Sequence, residues 1–222
     1  MEELGIKLDS VEMETVSKYG KNRRYFVIKR MIDVIGALCG ILLLLPVIIV
    51  VAIWIKLSSK GTVFFAQERV GLDGKGFMMY KFRSMCTDAE FLLEKLKDKN
   101  EMSGPMFKIK DDPRVTKVGK FIRKTSIDEL PQLFNILKGE MSIVGPRPSL
   151  PKEVAQFSSF HKQRLVAKPG LTCYWQVSGR SDVSFEEWME MDVKYIEQRN
   201  TWIDIWLILK TVKVLFGDEG AR

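Results

Sequence analysis

The sequence predicts an α/β domain that is mostly helical and associated with a membrane. Residues 34–55 form a stretch of 22 residues without a charge, which is long enough to cross a bilayer. Most later apolar residues recur at helical spacing, whereas two short runs, residues 62–65 and 77–82, have the composition of strands. Hydrophobic residues make up 46% and charged residues 28% of the 222 residues, a balance typical of a globular protein.

The uncharged stretch differs from a simple membrane span. Pro46 lies at its middle, where proline removes a backbone hydrogen bond and bends a helix. Basic residues flank both ends, so the excess of Lys and Arg that marks cytoplasmic loops gives no direction. They are Lys21, Arg23, Arg24, Lys29 and Arg30 before the stretch, and Lys56 and Lys60 after it. A kinked full span and a hairpin that enters and leaves one leaflet both fit this pattern, and a buried core helix is the third interpretation.

The remaining elements follow from periodicity and from turn residues. Glycines at positions 71, 74 and 76 predict a turn between the two strands. The Gly-Pro-Arg-Pro sequence at residues 145–148 is extended and rigid, because a proline disfavours the α region for the residue before it. The predicted helices are residues 88–99, 115–124, 131–138 and 185–198.

The C-terminal stretch, residues 202–216, has a broad apolar surface that Lys210 and Lys213 interrupt near its end. Trp202 and Trp206 beside such a surface suit an amphipathic helix at a membrane interface. An ordinary core helix explains the pattern equally well.

Charge and residue usage limit the function classes. The net charge of +7 and a pI near 9.2 suit nucleic acid, anionic lipid or phosphate-rich small molecules as partners. Three widely spaced cysteines without a C-x-x-C pair indicate no disulfide framework and no zinc site. A single histidine gives little support to a His-based metal site or a Ser-His-Asp triad.

Two adjacent carboxylates, Asp128 and Glu129, lie at the start of the short helix that Gly139 ends. In a basic neighbourhood such a pair suits a phosphate site with Mg²⁺, since one acid can hold the metal while the other acts on phosphorus. The alternative is a helix cap, because Ser126 and Glu129 also fit the S-x-x-E capping box.

Four cations are candidates for holding phosphate oxygens. Arg147 stands between two prolines, and a rigid backbone lowers the entropy cost of placing an arginine fork on phosphate. Arg123 precedes the acid pair by five residues, and Lys81 and Arg83 lie at the end of the second strand. For Lys81 and Arg83, a solvated strand end is the competing interpretation.

Four motifs in this order resemble the monotopic polyprenyl-phosphate phosphoglycosyl transferases, the bacterial sugar transferases. The resemblance covers residues 29–216. Its motifs are Lys81-Phe82-Arg83-Ser84-Met85, Asp112-Pro113-Arg114-Val115-Thr116, Thr125-Ser126-Ile127-Asp128-Glu129-Leu130-Pro131-Gln132 and Gly145-Pro146-Arg147-Pro148.

The resemblance implies a function and roles for individual residues. Asp128 would be a nucleophile that takes a phosphosugar from a UDP-sugar, and polyprenyl (undecaprenyl) phosphate would then accept it. Glu129 would help to hold Mg²⁺ or accept a proton, and Asp128 is the other candidate ligand. Lys81, Arg83, Arg123 and Arg147 would contact the phosphates or the nucleotide, and Asp192 and Tyr195 are further possible site residues.

The resemblance also implies the organisation of the chain and its place in the cell. Residues 1–28 would be an N-terminal tail, residues 29–60 a re-entrant membrane helix broken at Pro46, and residues 61–222 a cytoplasmic catalytic domain with a C-terminal interfacial helix. Leu45 precedes Pro46 where the family has serine, so the break lacks a hydroxyl that would satisfy freed carbonyls. We expect a protein of the bacterial inner membrane that faces the cytoplasm, contacts membrane lipid and forms a homo-oligomer in some settings.

Two other function classes compete with this prediction. Net charge alone supports a nucleic-acid-binding protein, but the sequence contains no recognisable RNA or DNA motif, so we expect no nucleic acid partner. A bitopic membrane protein with a non-catalytic interaction domain leaves Asp128, Glu129 and Arg147 unexplained.

Overall fold

A computed structural model describes residues 22–96, 98, 100–101, 104–107, 109, 111–178 and 183–215. Helices predominate among the described residues, as the sequence predicts. The strands form two small sheets, of which the sequence predicts only the hairpin. The longer helices are α1 (Arg23–Ser58), α2 (Ala89–Leu96), α3 (Lys117–Lys124) and α4 (Gln132–Lys138), followed by the short α5 (Pro151–Val154), α6 (Ser159–Lys162) and α7 (Tyr174–Val177), and then α8 (Phe185–Gln198) and α9 (Thr201–Leu215). The strands are β1 (Phe64–Val70), β2 (Gly76–Phe82), β3 (Ser142–Val144) and β4 (Gly170–Thr172).

Helix α1 begins earlier than the sequence predicts. The Asn22 side chain accepts a hydrogen bond of 3.1 Å from the backbone N–H of Tyr25, which caps the helix before residue 29. The predicted tail is therefore helical from Arg23, and residues 1–21 lie outside the described part. The helix continues through Pro46, so the break there stays a prediction. By length and composition alone, α1 is suited to cross a membrane.

Helix α1 packs against the rest of the chain at two separate places. Ala37 lies in a buried cluster with residues of β2 and α4, and Val51 and Ile55 lie in another with Phe82 and residues of α3. Between these places Leu43 is 78% exposed. Both ends of the apolar stretch therefore rest on one body, while its middle stands away from it.

The antiparallel hairpin β1–β2 brings three polar side chains to one face. Its register pairs Phe65 with Lys81, Gln67 with Met79, and Arg69 with Phe77. Because side chains alternate across a strand, Gln67, Arg69 and Lys81 share the face that carries the buried Met79. This face is turned toward α4.

Helix α4 is locked onto β2 by Asn135, which is fully buried. Its amide accepts from the Tyr80 N–H at 3.1 Å and donates to the Met78 carbonyl at 2.7 Å. Gly139 ends the helix in the left-handed region at φ 84°, which confirms the predicted end. A 3₁₀ turn, Ile127–Glu129, precedes α4 and carries the acid pair.

The capping-box interpretation of Ser126 and Glu129 is wrong. Ser126 has a left-handed backbone at φ 55° and its side chain makes no capping hydrogen bond. The left-handed residue turns the chain sharply between α3 and the 3₁₀ turn. Asp128 and Glu129 therefore lie beside the hairpin and do not cap a helix.

The parallel strands β3 and β4 hold the rigid segment 145–148. On its other side β3 is fixed by α1, since Asp33 accepts hydrogen bonds from the Ser142 hydroxyl at 2.9 Å and the Ile143 N–H at 2.8 Å. Helix α9 buries Leu207 completely, whereas Trp202 is 79% exposed. The helix therefore joins the core along one side, and its placement at a membrane interface stays a prediction.

Candidate active site

Glu129 is held by two cations from different parts of the fold. Its Oε1 atom lies 2.7 Å from Lys81 Nζ on β2 and 3.1 Å from Arg147 Nη1 in the segment after β3. The hairpin, the 3₁₀ turn and the 145–148 segment therefore meet at one carboxylate. Burial alone would raise the pKa of Glu129, but the charges of Lys81 and Arg147 outweigh burial and lower it well below the ordinary value. Glu129 is therefore ionised across the physiological range.

Asp128 lies in the same charged environment but is not clamped. It is 8% exposed, and within the described part of the chain no group donates a hydrogen bond to its carboxylate. Burial raises the pKa of Asp128, the charge of Lys81 opposes that rise, and the Glu129 charge adds to it. The two neighbouring acids therefore differ: one is fixed by ion pairs, and the other is desolvated and available.

Arg123, on α3, lies close enough to Asp128 for its charge to act on that carboxylate. Arg123 Nε donates to the Ser84 hydroxyl at 2.8 Å. Gly119 permits this approach of α3, because a Cβ there would lie 1.9 Å from the Ser84 carbonyl oxygen.

Arg83 does not contact the acid pair, and its predicted phosphate-binding role stays a prediction. Its guanidinium donates to the Lys60 carbonyl, and to the Ser59 carbonyl at 3.1 Å and hydroxyl at 3.0 Å. These contacts satisfy carbonyls at the C-terminal end of α1, so the structure gives Arg83 a structural role.

Arg69 is a site cation that the sequence reasoning missed. Its Nη1 donates to the Pro148 carbonyl at 3.1 Å, and its Nη2 donates to Gln67 at 2.7 Å. Burial together with the neighbouring charge of Arg147 lowers the pKa of Arg69 to about 10. The signal was present in the alternation of the hairpin, which puts Arg69 on the same face as Lys81.

Asp192 and Tyr195 on α8 lie in the core, away from the acid pair. Asp192 Oδ2 pairs with Arg164 Nη2 at 2.6 Å, and burial raises the pKa of Asp192 to about 6 against the effect of Arg164. The Tyr195 hydroxyl donates to Asp204 at 2.8 Å. Both predicted positions are therefore buried polar partners that do not contact the acid pair.

The cluster has more positive than negative charge. The cations Arg69, Lys81, Arg123 and Arg147 surround the two acids, so it attracts a diphosphate. Among the described residues no group of three or more His, Cys, Asp or Glu side chains is arranged to hold a metal. Two carboxylates nevertheless fit Mg²⁺, which commonly takes one or two protein carboxylates together with substrate phosphate oxygens and water. Asp128 has both oxygens available for such a role.

Comparisons with known proteins agree on one family. Residues 24–218 match the model of the bacterial sugar transferase family. The chain is 47% identical over 199 residues to the galactosyl transferase CpsE of Streptococcus agalactiae, a match that covers 89% of this chain and 44% of that relative. It is 41% identical to the undecaprenyl-phosphate galactose phosphotransferase of Salmonella typhimurium, with 87% of this chain and 41% of the relative covered.

The chain thus spans less than half the length of these two curated relatives. The exopolysaccharide production protein ExoY of Rhizobium meliloti is closer in length: it is 38% identical, and the match covers 87% of both chains. The family match extends from the first turn of α1 to the end of α9 and includes every residue of the charged cluster. The chain belongs to the bacterial sugar transferase family.

Proposed function

We propose that this protein transfers a sugar 1-phosphate from a UDP-sugar to undecaprenyl phosphate and releases UMP, as a first step in the synthesis of a bacterial surface glycan. The names of the Salmonella and Streptococcus relatives make UDP-galactose the first donor to test. The observation that carries the proposal is the difference between the two acids. Asp128 is desolvated and uncommitted, while Glu129 beside it is fixed by Lys81 and Arg147.

In the first step a carboxylate oxygen of Asp128 attacks the β-phosphorus of the UDP-sugar. The bond between the β-phosphorus and the oxygen that bridges to the α-phosphorus breaks, and UMP leaves with that oxygen. The sugar 1-phosphate then remains esterified to Asp128. A desolvated carboxylate next to arginine and lysine charges suits this step, because the cations stabilise charge on the phosphoryl oxygens.

In the second step an oxygen of undecaprenyl phosphate attacks the same phosphorus. The bond from Asp128 to phosphorus breaks, the carboxylate is regenerated, and the product is an undecaprenyl diphosphate sugar. Dividing the transfer into two displacements lets one set of cations serve both steps. Glu129 keeps Lys81 and Arg147 in place throughout, because its own pKa is too low for it to lose its charge.

Asp128 and Oε2 of Glu129, which is not the oxygen paired with Lys81 and Arg147, would hold Mg²⁺. The ion supplies charge neutralisation that allows a carboxylate to approach a diphosphate. We expect activity to vanish in excess chelator and to return on addition of Mg²⁺. Full turnover in chelator would show that no metal ion is needed, and that the protein's own cations neutralise the diphosphate. These cations are Arg69, Lys81, Arg123 and Arg147.

We propose that α1 enters and leaves the membrane from the cytoplasmic side. The proposal is supported by Ala37 and Ile55, near the two ends of the apolar stretch, which pack against one body, whereas a full span would place those ends on opposite sides of a bilayer about 30 Å thick. The exposed middle of α1, with Pro46 at the turning point, would then occupy one leaflet. This arrangement keeps Asp128 near the surface where a lipid phosphate lies.

The decisive experiment offers a panel of UDP-sugars to the purified protein, with and without undecaprenyl phosphate, and measures UMP release. We expect stoichiometric release with donor alone and sustained release with both. Mass spectrometry of the donor-only sample should find a phosphosugar on Asp128. A failure to release UMP from any donor would favour the bitopic protein with a non-catalytic domain.

Topology is tested with single cysteines at Arg24 and Lys75, both exposed, in a chain without Cys39 and Cys86; the remaining Cys173 is fully buried. In intact cells a membrane-impermeant thiol reagent should label neither position, and in inverted vesicles it should label both. Labelling of Arg24→Cys in intact cells would establish a full span.

A further inference from the structure

A buried ion pair joins the core to the segment that carries Arg147. Arg164, in a 3₁₀ turn at Gln163–Val166, and Asp192, on α8, are 3% and 0% exposed. Arg164 Nη2 lies 2.6 Å from Asp192 Oδ2. Neither residue contacts the acid pair, so the chemistry described above does not use them.

The guanidinium of Arg164 also holds the chain on both sides of Pro148. Its Nη2 donates to the Arg147 carbonyl at 2.6 Å, and its Nη1 donates to the Ser149 hydroxyl at 2.5 Å. The prolines at 146 and 148 already restrict the dihedral angles of this segment. The segment can therefore still move as a rigid unit, and the two hydrogen bonds from Arg164 restrain that motion.

Arg164 also supports the Arg147 side chain through two stacked tryptophan rings that lie between the two guanidinium groups. The Arg164 guanidinium lies 5.4 Å from the ring centroid of Trp188, and Trp188 stacks on Trp175 at 4.5 Å. The guanidinium of Arg147 lies 5.8 Å from the centroid of Trp175. Arg164 therefore supports Arg147 through the backbone and through two rings.

Stability alone is a poor explanation for such a pair. Removing two charges from water costs several kcal/mol per ion, and a well-packed apolar pair of the same volume is often as stable. What this pair supplies is placement: no described residue donates a well-aligned hydrogen bond to the Asp192 carboxylate, but its charge against Nη2 holds the Arg164 guanidinium where its N–H groups reach their two acceptors.

We propose that Arg164 and Asp192 are positioning residues that set where the Arg147 guanidinium lies relative to Glu129 and the transferred phosphoryl group. This inference rests on the function proposed above. Arg164 acts through Arg147, and Asp192 acts through Arg164.

The test compares Arg164→Lys, Arg147→Lys and the double variant. Lysine at 164 keeps the charge beside Asp192 but cannot reach both acceptors. We expect kcat to fall by about 100-fold, the scale of a displaced catalytic group, with a change in KM below about threefold. In the Arg147→Lys background the second change should cost less than about twofold, because the group that Arg164 positions is already gone.

Two further variants separate positioning from loss of structure. Ser149→Ala removes one acceptor and leaves the ion pair intact, so a smaller fall in kcat is expected from a protein that stays folded but is less stable, because Arg164 Nη1 loses its partner. Leu207→Ala, on the buried side of α9, should lower the melting temperature and leave kcat of the folded protein unchanged.

Calorimetric titration with UDP supplies a readout that does not depend on turnover. Arg147→Lys and Arg164→Lys should weaken UDP binding by the same small factor, below about threefold, and the double variant should be no weaker than either. Wild-type kcat in both Arg164→Lys and Ser149→Ala, or losses that multiply in the double variant, would overturn the inference while the proposed function stands. If the wild-type protein transfers no phosphosugar, the proposed function fails, and the UDP titrations alone decide the role of Arg164.

Discussion

Two clusters of charged side chains in this protein differ in how completely their charges are paired. One is the active-site cluster around Asp128 and Glu129. The other, which we call the clasp, consists of Tyr25 and Lys29 on α1, Tyr195 on α8 and Asp204 on α9. The clasp ties the N-terminal part of α1 to the C-terminal helices.

Every charge in the clasp is paired. Lys29 Nζ lies 2.9 Å from Asp204 Oδ2 and donates to the Val144 carbonyl at 2.8 Å. The other oxygen of Asp204 accepts from the Tyr195 hydroxyl at 2.8 Å, and Tyr25 donates to Oδ2 at 3.0 Å. In the active-site cluster the cations outnumber the acids, and Asp128 receives no hydrogen bond from the described residues. The comparison indicates that a cluster whose charges are all paired within the protein is structural. A cluster with more cations than acids is a place where an anionic ligand supplies the missing negative charge.

The largest expected effect comes from Asp128→Asn. The amide keeps the shape but is not a nucleophile, so turnover with UDP-sugar and undecaprenyl phosphate should fall by at least about 1,000-fold. Burial disfavours the native carboxylate, so the melting temperature should stay the same or rise slightly. Activity within tenfold of wild type, or a large loss of stability, would place Asp128 among the structural charges.

The clasp should respond in the opposite way. Asp204→Asn leaves the half-buried Lys29 without its main counter-charge, so we expect a loss of about 3 kcal/mol in the free energy of unfolding. The kcat of the folded fraction should stay within about twofold of wild type. Thermal unfolding in detergent measures the first quantity, and active-site titration by UMP burst measures the second. Asp204→Asn combined with Lys29→Met should recover part of the loss, and a collapse of kcat at unchanged stability would contradict the comparison.

The sequence predicts the acid pair and three of its cations because short motifs encode them locally. Lys81 lies on a strand, Asp128 and Glu129 follow α3, and Arg147 is fixed by two prolines. Arg83 lies apart from these residues for a local reason: alternation would place residues 81 and 83 on one face, but β2 ends at Phe82, and Arg83 turns to the end of α1.

The other features depend on contacts between distant parts of the chain. Arg164 and Asp192 are 28 residues apart, and Lys29 and Asp204 are 175 residues apart. No periodicity relates such pairs, so the sequence marks Asp192 and Tyr195 as polar without indicating a partner. The left-handed Ser126 was likewise hidden, because a serine three residues before a glutamate fits a cap better than a strained turn.

Glu129→Gln tests the clamp, by which we mean the two ion pairs of Glu129 with Lys81 and Arg147. The expected effect is smaller than that of replacing Asp128. An amide loses both ion pairs, so Lys81 and Arg147 are no longer held against one oxygen. We expect kcat/KM for the UDP-sugar to fall by about tenfold to 100-fold, on the scale of one misplaced electrostatic group. Asp204→Asn is the matched control, because Asp204 is a buried carboxylate that is likewise fixed by an ion pair, with Lys29, and it lies outside the active-site cluster. Equal losses in the two variants would reduce the clamp to a general effect of removing a buried charge.

The smallest effect concerns pH and follows from the opposite pKa shifts of the two acids. The pKa of Asp128 is raised by burial, and only its carboxylate form is a nucleophile. The kcat/KM for UDP-sugar should therefore decline on the acid side at a pH above the ordinary aspartate value of about 4. The low pKa of Glu129 keeps that residue out of this range. The raised pKa also sets the sign for stability: the contribution of Asp128 is fully present below its unfolded pKa and is lost as pH rises through the folded value.

Lys81→Met identifies the group responsible for that decline. Lys81 is the strongest influence opposing the effect of burial on Asp128, so its removal should raise the pKa further and move the acid limb of kcat/KM to higher pH. Arg123→Gln should move it the same way by less, and Lys75→Met, at an exposed position in the hairpin turn, should leave it in place. Asp192, with a pKa of about 6, is the other acid that titrates nearby, but its carboxylate is influenced by Arg164 and not by Lys81. An acid limb that stays fixed in Lys81→Met would therefore assign the titration to Asp192 and remove the pH evidence for Asp128.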